Sequence, residues 1–473
     1  MNRSPLRPIQ EARSAVERWL SNDADSHLAL LFLASFLIAC RMPAQNDTWW
    51  HLRAGEDIWR GVSVFSDHYS FTRFGAEWLN REWLSQATFF ALFRLGGFPL
   101  LTAFLAAGIL TSMTLLSAIV TGSTRKRLVL LASVVVASAS QWAVRPQVFS
   151  FLFLVLTLWL LDQRRYRLLP IVFLVWANLH AGVILGVAVV AAFCVIALYE
   201  RTGDVRALFV NCAASAVATL LTPLGIRLWT TMPDAIARMR ASGVSEFQPL
   251  ALNAWSSLAL LLLLAGAVTL AIRNLWKRGS WDGSVLAAII LCGGAFMSSR
   301  NVAAASVLLV VAISRLSVDL DVAFLRSSGS HPRLNRALLA TFAAVGVVAI
   351  SSTWLGGGRS LGWQPLPPPI VEAVNRCEGN LYNRFDDGGY LVWFARSHRV
   401  FVDSRFDPYD STLIQEHAAV EASGDFASLF RRFNIRCALT VPRSPLATSL
   451  AARGWSVAYR DNGWMLLTGR SAS

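Results

Sequence analysis

Acidic, basic and imidazole side chains recur in short polar motifs that separate long apolar runs. The residues that stand out for their chemistry are Asp47 and His51 in NDTWWHLRAGEDIW at 46–59, Arg145 and Gln147 in RPQ, His180 in WANLHAG at 176–182, and Arg300 in SSRN. A carboxylate can accept a proton from an attacking hydroxyl, and the planar guanidinium fork suits phosphate. Together they indicate acid–base chemistry on a phosphate-linked substrate, with Asp47 as the base and the other five as ligands of the phosphate or sugar.

Each assignment has a structural alternative. Asp47 could instead cap the helix that the first motif predicts, by accepting a backbone N–H. Arg145 and Arg300 could extend toward the membrane interface or pair with a loop carboxylate. His180 could be a hydrogen-bonded core histidine.

A second group of polar residues could contact an acceptor or form a lid over the site. Asp67 and Glu82 follow in SDHYSFT and EWLNREW, and Asp403, Arg405 and Tyr409 lie in VFVDSRFDPYD at 400–410. Asp67 also suits a turn, Glu82 could lie on a solvated helix face, and Asp403 with Arg405 could be a structural pair. The interpretation as acceptor contacts rests on their position near predicted loop and strand ends, where binding residues collect.

The composition predicts the scaffold that must position these residues. Of the 473 residues only 15% are charged, against about 25% in a soluble domain, and 55% are hydrophobic. Mean hydropathy is +0.47. These values exclude a disordered chain, a collagen and an ordinary water-soluble enzyme. The net charge of +14 comes mostly from clusters between apolar runs, which favours membrane topology over nucleic-acid binding.

The apolar runs predict about eleven membrane spans. They centre on residues 27–41, 98–120, 128–143, 147–161, 168–179, 182–199, 207–222, 256–272, 281–297, 302–316 and 337–355. Alternation places the basic clusters on the cytoplasmic side, at TRKR (124–127), DQRRYR (162–167), RTGDVR (201–206), RNLWKR (273–278) and the loop with Arg326, Arg333 and Arg336. The polar motifs then lie together at the outer ends of the helices.

The predicted fold is an all-α polytopic membrane bundle followed by a small C-terminal α/β domain. We expect a cytoplasmic segment at 1–26, a membrane domain at 27–355 whose long outer loop at 41–84 carries interfacial helices, and an extracytoplasmic domain at 356–473. Strands are predicted at 391–394, 400–403, 437–441, 455–459 and 464–468, and helices at 411–421 and 425–433. In an oxidising compartment Cys377 and Cys437 could form a disulfide or stay free.

The motifs also carry a resemblance to a family. The order DTWWHLRAGEDIWRG (47–61), DHYSFT, EWLNREWL, RPQVFSF and WANLHAG, with DDGGYLVW and FVDSRFDPY in the tail, resembles bacterial multi-pass proteins related to the GT-C superfamily of membrane glycosyltransferases. The resemblance implies a helical bundle, a polyprenyl-phosphate-linked sugar donor, inversion at the anomeric carbon and an essential acid in the first outer loop. Asp47 matches that acid by position. Relatives often have an adjacent acidic pair where this chain has Asn46 before Asp47, so a mechanism without a metal or another cofactor is favoured.

We therefore expect an inverting glycosyltransferase in the bacterial inner membrane that takes its sugar from a polyprenyl-phosphate donor. The acceptor would be a glycan, lipid or protein on the outer face, and no nucleic acid is expected as a partner. Two alternatives stay open, which are a non-catalytic assembly or scaffold protein and a transporter or flippase of lipid-linked glycan. The inner halves of the spans carry few charged residues, which is unfavourable for a polar path across the bilayer.

Overall fold

The computed structural model describes residues 21–201, 204–241, 245–251, 253–278, 283–317 and 329–469. The described residues between Asp23 and Leu355 form a helical bundle with a long loop after its first helix. Its helices are α1 (Asp23–Ala39), α2 (Asn46–Trp59), α3 (Trp83–Ile119), α4 (Thr124–Ser138), α5 (Gln147–Asp162), α6 (Leu169–Leu179), α7 (Val183–Glu200), α8 (Val205–Ala218), α9 (Arg227–Thr230), α10 (Met232–Ala241), α11 (Trp255–Arg278), α12 (Gly283–Met297), α13 (Val302–Leu316) and α14 (Pro332–Leu355).

Every predicted apolar run overlaps one helix of the bundle. Within the described ranges, four helices are long and apolar enough to cross a membrane by length and composition, at Trp83–Ile119, Trp255–Trp276, Ser299–Leu316 and Pro332–Leu355. Five others are apolar but shorter. The total of eleven crossings stays a prediction. Large apolar side chains on the outside of these helices, such as Val348 at 67% exposed and Leu262 at 66%, present a surface suited to lipid.

Helix α3 consists of two segments that meet at a break. Its backbone leaves helical geometry at Gly96 and at Gly97, where φ is +64°, a conformation that favours glycine. The segment before this break begins directly after Glu82, at the end of the predicted outer loop at 41–84. The break allows Glu82 to be held at the helix start while the second half of α3 runs through the bundle core.

The loops predicted to be cytoplasmic contact one another at one end of the bundle. Asp162, at the end of α5, pairs with Arg315, near the end of α13, at 2.7 Å. The Lys126 ammonium donates to the Ser314 carbonyl at 2.9 Å. Asp23 accepts from the Asn335 amide at 2.8 Å. These contacts are consistent with a location of the loops at the same end of the bundle. Residues 1–20 and the segment around Arg326 lie outside the described residues.

The tail forms a four-stranded sheet with helices against it. The elements are α15 (Pro368–Asn375), β1 (Asn380–Asn383), α16 (Gly388–Phe394), α17 (Ser411–Ser423), α18 (Ala427–Arg432), β2 (Ile435–Thr440), α19 (Pro445–Ala452), β3 (Ser456–Arg460) and β4 (Met465–Thr468). The strand order is β1-β2-β4-β3, with β1 parallel to β2 and the other pairs antiparallel.

Two strand predictions in the tail are wrong. Residues 391–394 belong to helix α16, because the short apolar run fits one face of a helix as well as a strand. Residues 400–403 are a loop in which Val400 alone makes a bridge, with Ser70. The other three predicted strands and both predicted helices are present, and β1 was not predicted because its four residues give too short a pattern.

The tail and the first outer loop share a hydrophobic core. Trp50, Tyr69 and Trp78 of the loop are buried with Ile370 and Leu391 of the tail. A disulfide joins Cys377, just before β1, to Cys437 in β2. The loop is thereby fixed between the bundle and the sheet, which places α2 and its Asp47 beneath the tail.

Candidate active site

Asp47 lies in the first turn of α2, and its carboxylate contacts side chains from three separate parts of the chain. The Arg145 guanidinium nitrogen Nη2 is 2.7 Å from Asp47 Oδ2. The Ser404 hydroxyl donates to Oδ1, and Trp50 Nε1 donates to the same oxygen at 3.2 Å. At the start of the helix, the Thr48 hydroxyl instead accepts a hydrogen bond from the Gln45 backbone N–H at 2.9 Å. The carboxylate is therefore directed at a cation rather than used as a helix cap.

Arg145 joins Asp47 to a second carboxylate. It precedes Pro146 at the turn before α5, and the Val144 backbone N–H anchors this turn to the Pro43 carbonyl at 3.2 Å. Its guanidinium donates both to Glu246 Oε1 at 2.9 Å and to Glu246 Oε2 at 3.1 Å. Burial alone would lower the pKa of Arg145, but Asp47 and Glu246 raise it above its ordinary value. Arg145 thus stays a cation that two carboxylates neutralise.

Arg300 continues the chain of charges from Glu246 to His180. Its Nη1 is 3.5 Å from Glu246 Oε1, and its Nη2 is 3.1 Å from His180 Nε2. The guanidinium also lies over the Phe247 ring, 5.1 Å from the centroid. Two guanidiniums therefore share one carboxylate, and each lies just before a different helix.

His180, His51 and Glu82 form the next part of the site. Glu82 Oε1 is 3.3 Å from His180 Nε2, and Glu82 Oε2 is 3.6 Å from His51 Nε2. Burial, followed by the neighbouring arginines, lowers the pKa of both imidazoles well below its ordinary value, so both are neutral at pH 7. Burial raises the pKa of Glu82 to about 7, although Arg300 and Arg145 oppose the increase. Glu82 is therefore the group in this cluster that titrates near neutral pH.

Gln147 lies next to Arg145 in sequence but is held elsewhere. Its side-chain amide donates to the Gln141 carbonyl at 3.2 Å, and its Oε1 is buried with no partner in the described part of the chain. Its role as a donor ligand stays a prediction.

Four of the five residues predicted to contact an acceptor or form a lid lie in a separate buried cluster, whereas Glu82 lies beside His51 and His180. Arg405 pairs with Asp67 at 2.6 Å and with Asp403 at 2.7 Å, and all three side chains are fully buried. The Tyr409 hydroxyl donates to Asp403 at 2.9 Å. The Arg405 guanidinium also lies 4.7 Å from the Trp78 ring centroid. This geometry is that of the structural pair left open above, and it joins the first loop to the tail.

Two residues of the site were not assigned from the sequence. Glu246, in the sequence EFQP at 246–249, bridges the two arginines. Ser404 lies between Asp403 and Arg405, and its hydroxyl also accepts from Trp50 Nε1 at 3.1 Å. A count of charges would have indicated Glu246, since two buried arginines need more than one anion. The sequence holds no signal for Ser404, because its position depends on how the tail docks.

Among the residues that the structure describes, no group of three or more His, Cys, Asp or Glu side chains is arranged to hold a metal ion. A mechanism without a metal stays a prediction.

Comparison with known proteins finds structural neighbours but no sequence relative. No protein-family model and no curated protein matches the chain. The archaeal oligosaccharyltransferase AglB from Archaeoglobus fulgidus, in complex with an inhibitory peptide and a dolichol-phosphate, superposes with a TM-score of 0.57 at 11% identity, covering 87% of this chain and 69% of AglB. Its apo form gives 0.57 at 12% identity, with 88% and 69% covered. ArnT from Cupriavidus metallidurans bound to undecaprenyl phosphate gives 0.51 at 13% identity and covers 94% of this chain and 98% of ArnT.

The chain has the GT-C fold. This confirms the resemblance inferred from the motifs. With its apolar helices, the GT-C fold also makes the chain a multi-pass membrane protein. The fold matches that of an oligosaccharyltransferase solved with a dolichol-phosphate and that of ArnT solved with undecaprenyl phosphate. At identities of 11–13% the comparison concerns the fold alone.

Proposed function

We propose that the protein is a glycosyltransferase that moves a sugar or glycan from a polyprenyl-phosphate donor to an acceptor on the outer face of the bacterial inner membrane. The observation that carries the proposal is the continuous series Asp47–Arg145–Glu246–Arg300, in which each ion pair is 3.5 Å or shorter. It joins the acid of the first outer loop to two guanidiniums suited to phosphate, within a GT-C fold. The disulfide in the tail supports an extracytoplasmic position for that domain.

In the proposed reaction the donor phosphate binds between Arg145 and Arg300. It competes with Asp47 and Glu246 for the guanidiniums, so that the Asp47 carboxylate is released from its ion pair with Arg145. Asp47 then accepts the proton of the acceptor hydroxyl while the oxygen attacks the anomeric carbon from the face opposite the phosphate. The bond from that carbon to the phosphate oxygen breaks with its electron pair. The products are the glycosylated acceptor with inverted configuration, polyprenyl phosphate stabilised by the arginines, and protonated Asp47.

The test is transfer of a radiolabelled sugar from purified polyprenyl-phosphate donors to a cell-envelope extract, catalysed by the purified protein. Asp47→Asn should lower the initial rate about 100-fold or more, the range that a positioned base contributes. Asp162→Asn is the matched control, because it removes the carboxylate of an Asp–Arg pair at the other end of the bundle. It should keep the wild-type rate.

Wild-type transfer by Asp47→Asn would remove the base from the mechanism. If no variant and no wild-type preparation transfers sugar, and a strain with alanine at both Asp47 and Arg145 grows normally, the protein is a scaffold rather than an enzyme. Accumulation of a lipid-linked glycan on the cytoplasmic side of a deletion strain would favour a flippase.

A further inference from the structure

A second polar cleft lies between the first outer loop and the tail, apart from the site around Asp47. Its volume is about 550 Å³, and its wall includes Arg53, His68, Tyr69, Arg396, His398 and Arg399. Arg53 follows Asp47 by six residues on α2, which places it roughly 9 Å further along the helix axis and about 240° around it. The cleft therefore opens on another face of the same helix.

The cleft has more guanidinium groups than carboxylates to neutralise them. Arg53 lies 3.4 Å from Asp57, and Arg396 lies 2.8 Å from Glu56. Both carboxylates are almost completely buried behind the wall. Arg399 makes no ion pair with any residue of the described ranges, and its guanidinium lies 4.1 Å from the centroid of the Phe74 ring. One positive charge therefore remains available to an incoming anion.

The walls of the cleft are held by backbone contacts. Val400, next to Arg399, donates its backbone N–H to the Tyr69 carbonyl at 2.9 Å and accepts from the Phe71 N–H at 3.1 Å. His398 Nε2 contacts the carbonyl of Cys377 at 2.8 Å, and Cys377 is fixed by the disulfide to β2. The cationic side chains thus extend from a rigid frame, which lowers the entropic cost of ordering them around a ligand.

We propose that this cleft binds an anionic sugar, one that carries a phosphate or a carboxylate group. The volume is within the usual range for a small-molecule pocket of about 300–1,000 Å³. The guanidiniums would bind the anion, and the aromatic rings of Tyr69 and Phe71 provide apolar surface for the sugar ring. Under the proposed function this sugar would be part of the acceptor. Binding of the anion itself does not depend on the proposed function.

The experiment measures binding of glucose 1-phosphate and of glucuronate to the full-length protein in nanodiscs by isothermal titration calorimetry, with glucose as the neutral probe. We expect at least one anion to bind more tightly than glucose. Arg399→Gln should weaken that binding about tenfold or more, the effect of losing a charge-assisted hydrogen bond. Because Arg399 makes no ion pair in the described structure, the substitution leaves no carboxylate unpaired. Arg460→Gln, an exposed position on β3, is the matched control and should bind like wild type.

Equal affinity for glucose and both anions would overturn the proposal, and so would unchanged affinity in Arg399→Gln. The result is independent of catalysis, since no donor is present. If Asp47→Asn transfers sugar normally while Arg399→Gln loses anion binding, the proposed base fails and the anion site stands. If transfer depends on Asp47 but Arg399→Gln binds the anion normally, the anion site fails and the proposed base stands.

Discussion

Glu246 occupies the place that a donor phosphate would take, so removal of its charge should tighten binding of the lipid carrier. It contacts Arg145 through both carboxylate oxygens and Arg300 through one. Burial acts to raise the pKa of Glu246, but Arg300 and Arg145 outweigh burial and lower the pKa to about 2. Glu246 is therefore ionised at every pH at which the enzyme could be assayed. Glu246→Gln keeps the shape and one hydrogen-bond acceptor for Arg145 while it removes the charge.

The magnitude follows from Coulomb's law. A phosphate held by the same two guanidiniums would lie about 5 Å from the Glu246 carboxylate, and two like charges at that distance repel by about 3 kcal/mol at an effective dielectric constant of about 20. Glu246 is 24% exposed, so water reduces this value, and about 1.5–3 kcal/mol remains. Each 1.4 kcal/mol corresponds to tenfold in affinity. Glu246→Gln should therefore bind undecaprenyl phosphate about 10- to 100-fold more tightly than wild type.

Affinity would be measured with radiolabelled undecaprenyl phosphate and protein in nanodiscs, at two salt concentrations. The gain should shrink at high salt, because part of the repulsion is screened. Glu416→Gln is the control, since Glu416 makes a comparable two-oxygen contact with Arg432 in the tail. Weaker binding in Glu246→Gln would refute the reasoning. It would mean that the carboxylate is needed to hold the arginines in place rather than competing for them.

Two further predictions concern stability. Burial raises the pKa of Glu82 from 4.5 to about 7, so the folded state holds its proton more tightly than the unfolded state, and stability is lost as pH rises from about 4.5 to 7. Glu82→Gln should remove this loss of stability, which is about 3 kcal/mol at pH 8. Thermal unfolding of wild type and variant at pH 5 and pH 8 measures the difference. An equal pH dependence in the variant would contradict the raised pKa of Glu82. The disulfide spans 60 residues of sequence, so its loss should cost about 4 kcal/mol. A reductant should lower the Tm of wild type but not that of a Cys377→Ser, Cys437→Ser double variant, and an unchanged wild-type Tm would contradict a stabilising role.

The end of the bundle at which each loop lies was predictable from the sequence, because it follows from the number of apolar runs that precede the loop. Each apolar run reverses the chain, so the basic loops and the polar motifs must separate to opposite ends of the bundle. Arg145, His180 and Arg300 were placed at one end on this basis, and the structure brings them together with Asp47. The charge pattern thus predicted which residues could meet without any knowledge of which helices pack together.

Contacts between distant segments were not predictable in the same way. Ser404 reaches Asp47 across 357 positions, because β-strands and loops of the tail dock on α2. Nothing in local composition encodes that docking. Glu246 lies on a short turn of helix between α10 and α11, where apolar periodicity gives no register. Its role emerges only when both guanidiniums are seen to share it.

The balance of charges in the site connects donor binding to base activation under the proposed function. Arg145 and Arg300 are matched by Asp47 and Glu246, so the empty site is close to neutral and its base is held in an ion pair. An anionic donor disturbs that balance, and Asp47 can leave Arg145 only when the phosphate replaces it. A water molecule or an acceptor hydroxyl that arrives first meets a carboxylate whose oxygens already contact Arg145, Ser404 and Trp50. The arrangement therefore favours binding of the donor before activation of the acceptor.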